Sequence, residues 1–430
     1  MPLQFDYIIT GAGCAGLSLL MRLLQEPAMQ QKKILVIDKD AKKNNDRTWC
    51  FWEASPGLFE PIVHHRWEQL RFVAPAVDTN FSITPYQYKM IRGIDFYEYV
   101  LQQSAGFDNV QLVYATVQAL RNENNGVTVV TDHGTYTGEY VFNSIVNAGN
   151  WPPDDFKGYF LWQHFKGKLI ETNQPVFDPS MATFMDFTVS QHNGTTFMYV
   201  LPFTSNTALV EYTLFTKQLL AYEVYDAAID TYLQEKYGVG NGYHVLHEEF
   251  GKIPMTNYHF TPKEGHIIHI GIAGGQAKGS SGYAFYFIQQ QTEAIVKSLL
   301  QFGQPKLSIS LQQRKFRWFD SVLLRVLQKQ LLPGHEVFAA IFKQNAPDTI
   351  LRFLNNESSI NEDIQIMRSV PMCIFLPAAL HTVFFSKIEK PVYNVQDTTT
   401  DLLQNVPIIL IGHPINSYSI LLRIHCCHIS

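Results

Sequence analysis

The hydrophobic pattern begins with a short apolar run, Tyr7-Ile8-Ile9-Thr10, that reads as a buried strand. Gly11-Ala12-Gly13-Cys14-Ala15-Gly16 follows at once, and residues 17 to about 25 carry apolar positions at helical spacing. Ile34-Leu35-Val36-Ile37 forms the next strand and ends on Asp38, so the chain opens with a strand–helix–strand unit. Strand patterns then dominate, at 110–117, 127–131 and 140–146, with a turn at Asp132-His133-Gly134 between the last two. Segments 195–203 and 207–215 flank Thr204-Ser205-Asn206 and predict a hairpin. Residues 267–270 make a strand that runs into Gly271-Ile272-Ala273-Gly274-Gly275. A helix is expected from near Tyr283 to about 300, and the chain looks helical from 311 to roughly 386. Beyond 387 there is no clear period, and no internal repeat occurs.

Gly11, Gly13 and Gly16 stand where a dinucleotide fingerprint needs them, after a strand and at the start of a helix. Gly11 allows the tight turn, Gly13 lets the backbone approach a pyrophosphate, and Gly16 lets helix and strand pack closely. Asp38, 22 residues after Gly16, is placed to accept from a ribose hydroxyl. FAD is favoured over NAD because the adjoining region is strand-rich rather than a repeating strand–helix series. The glycine cluster Gly271, Gly274 and Gly275, just before a helix, suits closure around the isoalloxazine end. Arg92 is either a contact to that cofactor or an ordinary surface side chain. The fold expected is α/β (α+β): a Rossmann-like FAD-binding domain, an interleaved β-sheet substrate domain and a C-terminal helical region. The expected boundaries are 1–150 with 265–305 for the FAD-binding domain and 151–264 for the substrate-binding domain. The helical region takes 306–386, and 387–430 form an atypical tail.

Composition narrows the function classes. The 430 residues are 46% hydrophobic and 13% aromatic, with only 17% charged, against ~25% in ordinary soluble domains. That excludes a disordered chain, and a net charge of −5 argues against a nucleic-acid partner. Five cysteines without framework spacing fit a reducing compartment and no structural disulfides. A strand by Tyr7 leaves no room for a signal peptide, and Pro371, Pro377 and His381 break the apolar run at 370–385. That run falls short of the ~18 residues a spanning helix needs, so a cytoplasmic protein is expected. The greasiness then reflects a large core, a big apolar substrate or a membrane surface. A basic amphipathic helix at 311–332, with Arg314, Lys315, Arg317, Arg325 and Lys329, either lies on an anionic membrane or packs on its own core. His244, His247 and Glu248, and His425, Cys426, Cys427 and His428, are not expected to hold a metal.

The chemistry-bearing signal is a carboxylate inside an apolar strand. Alternation puts Leu209, Glu211, Thr213 and Phe215 on one face, and Ala208, Val210, Tyr212 and Leu214 on the other. Both faces are largely apolar, so Glu211 is expensive to bury unless paired, protonated or functional. Desolvation keeps such a carboxyl neutral to higher pH, which protonation of an unactivated alkene requires. A structural ion pair is the other reading. Asp186, in Phe184-Met185-Asp186-Phe187, is a second carboxylate judged by the same logic.

Taken in order, these segments resemble the flavin-dependent lycopene cyclases of bacterial carotenoid pathways, the β-cyclase type. The resemblance rests on the Gly11–Gly16 fingerprint with Asp38, on Asp46-Arg47-Thr48-Trp49-Cys50-Phe51-Trp52 and on Phe184-Met185-Asp186-Phe187. It continues through Leu201-Pro202-Phe203, Leu209-Val210-Glu211-Tyr212-Thr213, Gly251-Lys252-Ile253-Pro254-Met255, and Gly274-Gly275 with Ser281-Gly282-Tyr283. It implies that Glu211 is the catalytic carboxylate, aided by Asp186, and that Arg47, Ser281 and Gly282 join the FAD site. It also implies FAD kept reduced by NADPH, lycopene and γ-carotene as substrates, and no net redox. Peripheral contact with the inner face of the membrane is implied too, near other carotenoid enzymes. Tyr212 stands where the family often has an acid, and Gly279-Ser280 where a proline is common. The other readings are a redox flavoenzyme of the prenyl-reductase or hydroxylase group and a non-enzymatic FAD- or carotenoid-binding protein.

Overall fold

The computed structural model describes residues 4–146, 152–153, 155–240 and 242–386; the tail expected from 387 lies outside them. The opening strand Phe5–Thr10 pairs in parallel with both Ile34–Asp38 and Gly134–Asn143. Val110–Tyr114 and Ile267–His269 extend this sheet in parallel on either side. Its central strands are nearly continuous apolar runs because both faces are covered. Helices Cys14–Gln25, Gly93–Ser104 and Phe285–Phe302 pack with one face, burying Ile9, Val36 and Phe142 among Leu17, Leu20 and Ile295. Ile8, Leu35 and Val141 bury the other against Val127 and Val129 of the hairpin Val117–Glu123 and Gly126–Thr131. The first helix begins at Cys14 rather than at 17, because Gly13 is its extended N-cap.

The second sheet is mainly antiparallel and has seven strands. Its order is Tyr243–Thr256, Phe160–Thr172, Thr207–Thr216, Thr195–Pro202, Met181–Asp186, Gln69–Ala74 and Val77–Ser82. The predicted hairpin is present, with Tyr199 opposite Glu211. Gln69–Ala74 and Val77–Ser82 join this sheet from within the segment read as 1–150, the former by parallel pairing with Met181–Asp186. Alternation sorts the two faces. Ala208, Val210, Tyr212 and Leu214 pack with helix Tyr222–Tyr237, while Leu209 and Phe215 pack with Phe184, Phe197 and Tyr199 on the other side. A small third sheet, Thr48–Glu53, Gln87–Arg92 and His65–Trp67, adds Trp52, Trp67 and Tyr88 to that second core.

The C-terminal region is helical, as the pattern predicts, in five helices from Leu311–Gln328 to Met372–Ser386. The basic helix is Leu311–Gln328, started by a capping box of Ser310 and Gln313. Its apolar side chains Phe316, Leu324, Val326 and Leu327 are buried in the protein. Lys315 pairs with Asp363 at 2.6 Å, and Arg325 donates to the Tyr159 hydroxyl at 2.9 Å. Of the two readings of this helix, packing on the protein's own core is the one these apolar side chains meet. The exposed apolar stripe lies instead on Met372–Ser386, at Met372, Leu376, Leu380 and Phe384. No helix of the described residues is long and apolar enough to cross a membrane.

Helix and sheet meet most closely at Gly16, where a Cβ would stand 1.9 Å from the Gly11 carbonyl oxygen. That neighbour is backbone and cannot swing aside. Gly16→Ala should lower stability by roughly 1–3 kcal/mol, seen as a lower urea midpoint with an unchanged slope.

Candidate functional site

The fingerprint residues behave as three different glycines. Gly11 has φ +95°, and a Cβ there would lie 2.2 Å from Ser144 Oγ. Gly16 makes the close approach described above. Around Gly13 a Cβ would meet nothing within 4 Å; this open side is where a phosphate would approach the uncapped helix start. Asp38 anchors the same loop, accepting from the Ala12 N–H at 2.6 Å and the Asp40 N–H at 2.8 Å. Lys42 lies 3.4 Å from it.

A cavity of about 700 Å³ starts at this loop. Gly13, Cys14 and Lys42 line it at the glycine turn, Gly271, Gly282 and Phe285 line it further along the chain, and Arg47 lines it within electrostatic reach of Glu249. Its far end reaches Tyr88, Trp162, Tyr199, Leu209, Glu211 and Glu249 in the second sheet. The aromatic wall there is continuous: Tyr283 meets Trp52 edge-on at 5.0 Å, and its hydroxyl is 3.2 Å from that of Tyr199. Gly271 and Gly282 both have positive φ, and a Cβ at Gly282 would fall 1.8 Å from Gln163 Oε1. That oxygen and Ser281 Oγ are buried without a hydrogen-bond partner among the described residues. An open glycine turn, glycines where side chains would intrude and an orphaned acceptor in the wall suit a flat polar cofactor lying along the cavity.

Glu211 comes from the middle of Thr207–Thr216, on the face that alternation gives it. What surface it retains faces the cavity. Burial pushes its carboxyl well above the ordinary carboxylate range; the charge of Glu249 adds to this, and a 2.7 Å hydrogen bond from Thr213 Oγ1 opposes it. No cation pairs with Glu211 among the described residues. Glu249 is buried on the edge strand Tyr243–Thr256. Sequence reasoning passed over it because its neighbours His247 and Glu248 make the strand look polar; period-two spacing from Gly251 and Ile253 was the available signal.

The remaining candidates are dispersed. Asp186 is buried but does not line the cavity. It pairs with Met198, on the sheet face packed against Tyr222–Tyr237, and accepts from Tyr232 Oη at 2.8 Å and from the Thr188 N–H and hydroxyl. Arg92 also lies off the cavity, held in a two-pronged ion pair with Asp95. Gly274 and Gly275 pack against His269 and Phe260, shaping the turn behind Gly271. Arg47 lines the cavity. Of the faint metal set, Glu248 pairs with Lys166 at 3.3 Å.

A sequence model of the lycopene cyclase protein family matches residues 6–379. A lycopene beta-cyclase of Pantoea ananas is 25% identical over 273 residues, which are 60% of this chain and 64% of that protein, so the match spans less than two thirds of it. A lycopene beta-cyclase of Pseudescherichia vulneris is 23% identical over 385 residues, 85% of this chain and 94% of that protein. Among solved structures, a flavoprotein/dehydrogenase of Cytophaga hutchinsonii superposes with a TM-score of 0.59 at 11% identity, over 89% of this chain and 99% of its own. That likeness establishes the fold.

The raised Glu211 pKa has a consequence for stability. The folded protein holds this proton more tightly than the unfolded chain, so the group destabilises the fold progressively as pH rises above the unfolded value of about 4.3. Glu211→Gln should melt close to wild type near pH 5 and higher by about 2 °C or more at pH 8, measured by calorimetry across that range.

Proposed function

The chain belongs to the lycopene cyclase protein family, and from that premise we propose that it is an FAD-holding intramolecular lyase (an isomerase). It closes the open ends of lycopene into β-rings, through γ-carotene to β-carotene. The observation that carries this reading is the continuous cavity running from the Gly13 turn to a half-buried carboxyl in an aromatic wall, with no paired cation among the described residues. Gly13, Arg47 and Gly271, which line the cavity, would hold the nucleotide side, with Gly11, Gly16 and Asp38 shaping the turn behind Gly13, and Gly282 and Gln163 would meet the isoalloxazine. When bound, reduced FAD supplies negative charge beside a developing cation, and NADPH is the reductant we assign to it.

The chain's own residues do the rest. Glu211, protonated at neutral pH by its burial, gives its proton to the terminal trisubstituted double bond. The tertiary cation that forms is held among Trp162, Tyr199, Tyr283 and Phe285, which line the cavity; each ring facing it contributes ~0.5–2 kcal/mol. A neighbouring double bond closes the six-membered ring, and loss of a ring proton gives the β-end. No electrons are consumed. We assign proton donation to Glu211 alone, because Asp186 has no place in the cavity wall.

In cells accumulating lycopene, wild type should yield β-carotene, and Glu211→Gln should leave lycopene unconverted, a loss of at least ~100-fold, with flavin retained. NADPH use should fall far below one per ring formed. A Gln variant with near-normal turnover, or NADPH consumed in proportion to product, overturns the assignment.

We further place a peripheral contact with the inner face of the membrane on Met372–Ser386. Met372, Leu376 and Leu380 repeat every fourth residue and share one exposed side, and a lipid-dissolved polyene has to be collected from a bilayer. Leu376→Ser with Leu380→Ser should cut co-sedimentation with anionic liposomes at least threefold. Arg314→Ser with Arg317→Ser, on the inward-packed helix, should change it little; the reverse pattern moves the contact to that helix.

A further inference from the structure

The register of the second sheet sets two acids in one row. Gly167 of Phe160–Thr172 is opposite Glu211 on one side and opposite Glu249 on the other. Residues directly opposite share a sheet face, so both carboxylates point into the same cavity, and both line it. Their Cα atoms are two strand spacings apart, roughly 10 Å. Between them stands the one residue with no side chain. A Cβ on Gly167 would lie 3.1 Å from Glu249 Cγ and 3.2 Å from Leu209 Cδ1, crowding the row. The strand has no turn here and no positive φ at this position, so conformational freedom does not account for the glycine.

The surroundings of the two acids differ. Beside Glu249, the Thr48 side chain, His247 and the Arg47 guanidinium favour the charged form, with Asp46 opposing. Facing Glu211 are Glu249, Cys50, Tyr199 and Tyr283, and no cation pairs with it among the described residues. Burial pushes the Cys50 thiol and both phenols up, so they stay neutral. Burial raises both carboxyls; the charge of Glu249 raises Glu211 further, whereas the Thr48 side chain, His247 and Arg47 oppose the rise at Glu249.

We propose that Glu249 is the base of the ring closure, taking the ring proton across the space left by Gly167 after Glu211 has given its own to the double bond. This rests on the lycopene-cyclising reading above. The Glu211 O–H bond and the terminal π bond break to form one C–H bond, the neighbouring π bond breaks to form the ring C–C bond, and one ring C–H bond breaks, its electron pair becoming the ring double bond and its proton going to Glu249. Glu211 ends ionised and Glu249 protonated. Return of that proton to Glu211 restores the starting pair with no outside acid, base or oxidant. The place of the base also selects which ring proton leaves, and so the ring type.

The test uses full-length protein with dithionite-reduced FAD and lycopene in phosphatidylcholine vesicles. Glu249→Gln should retain flavin and fold, lose at least ~100-fold in turnover, and form other ring types or water-quenched ends in its residual product. Loss of the Glu249 charge should also move the alkaline limb of the residual activity to lower pH. Glu249→Asp, which keeps the charge one methylene further back, should recover part of the rate and the β-ring. Turnover, ring type and alkaline limb all within twofold of wild type overturn the proposal. So does a loss of turnover with ring type and limb both unchanged, which marks a structural role. A wild type that forms no ring at all fails the functional reading itself; one that cyclises with an indifferent Glu249 fails this inference alone.

Discussion

The constraint on which this structure turns is the cost of keeping a carboxyl out of water. A glutamate on an open sheet face would ionise at ordinary pH and be useless as an acid toward a double bond. Here the second sheet and the aromatic wall surround it, and no cation among the described residues pairs with it. The same enclosure that destabilises the charged form keeps the proton on the carboxyl at neutral pH, so that it is there to be given. Local strain of this kind persists only where the surrounding fold is stable enough to impose it.

The enclosure is built from two sheets with different tasks. The parallel sheet ends its central strand in a glycine turn whose backbone is shaped by close approach, Gly16 to Gly11 and Gly11 to Ser144. The seven-stranded sheet presents its cavity face as a row, Tyr199, Glu211, Gly167 and Glu249, set by strand register. Side chains on its opposite face are tied by polar contacts to helix Tyr222–Tyr237, among them Lys166 to Asp226 and Lys168 to Asp230. The sheet is thus braced from behind, and its front lines the cavity.

What could be read from the sequence was what local spacing encodes. The opening strand, glycine turn and helix are contiguous, and their glycines differ in the ways the spacing implies. The face of Glu211 followed from alternation alone. Asp186 looked the same by that rule, because it too sits in an apolar strand. Which face of the assembled sheet an acid occupies depends on the strand across from it, and Met198 puts Asp186 on the helix side. The short strands between Thr48 and Arg92 pair with partners that hydropathy does not identify, so their placement in two further sheets was invisible. The apolar stripe of 311–332 was legible, but whether protein or lipid covers it is a tertiary fact. Aromatics such as Trp162, Tyr199 and Tyr283 line the cavity, but Tyr225, Tyr232 and Tyr237 pack on the far face, so a large core accounts for part of the excess.

The entry of Gln69–Ala74 and Val77–Ser82 into the second sheet, and the late arrival of Ile267–His269 in the first, bear on how the chain is made. On a ribosome delivering about 5–20 residues each second, the first sheet waits for Ile267–His269 until all seven strands of the second have been synthesised. Neither sheet is complete while the other is absent, and both depend on contacts between distant parts of the chain, which form slowly. Cutting the gene near either sheet's nominal border would therefore give fragments with raw strand edges rather than two smaller proteins. A lineage that shuffles domains has no clean seam here, and the acid and the nucleotide turn are inherited together.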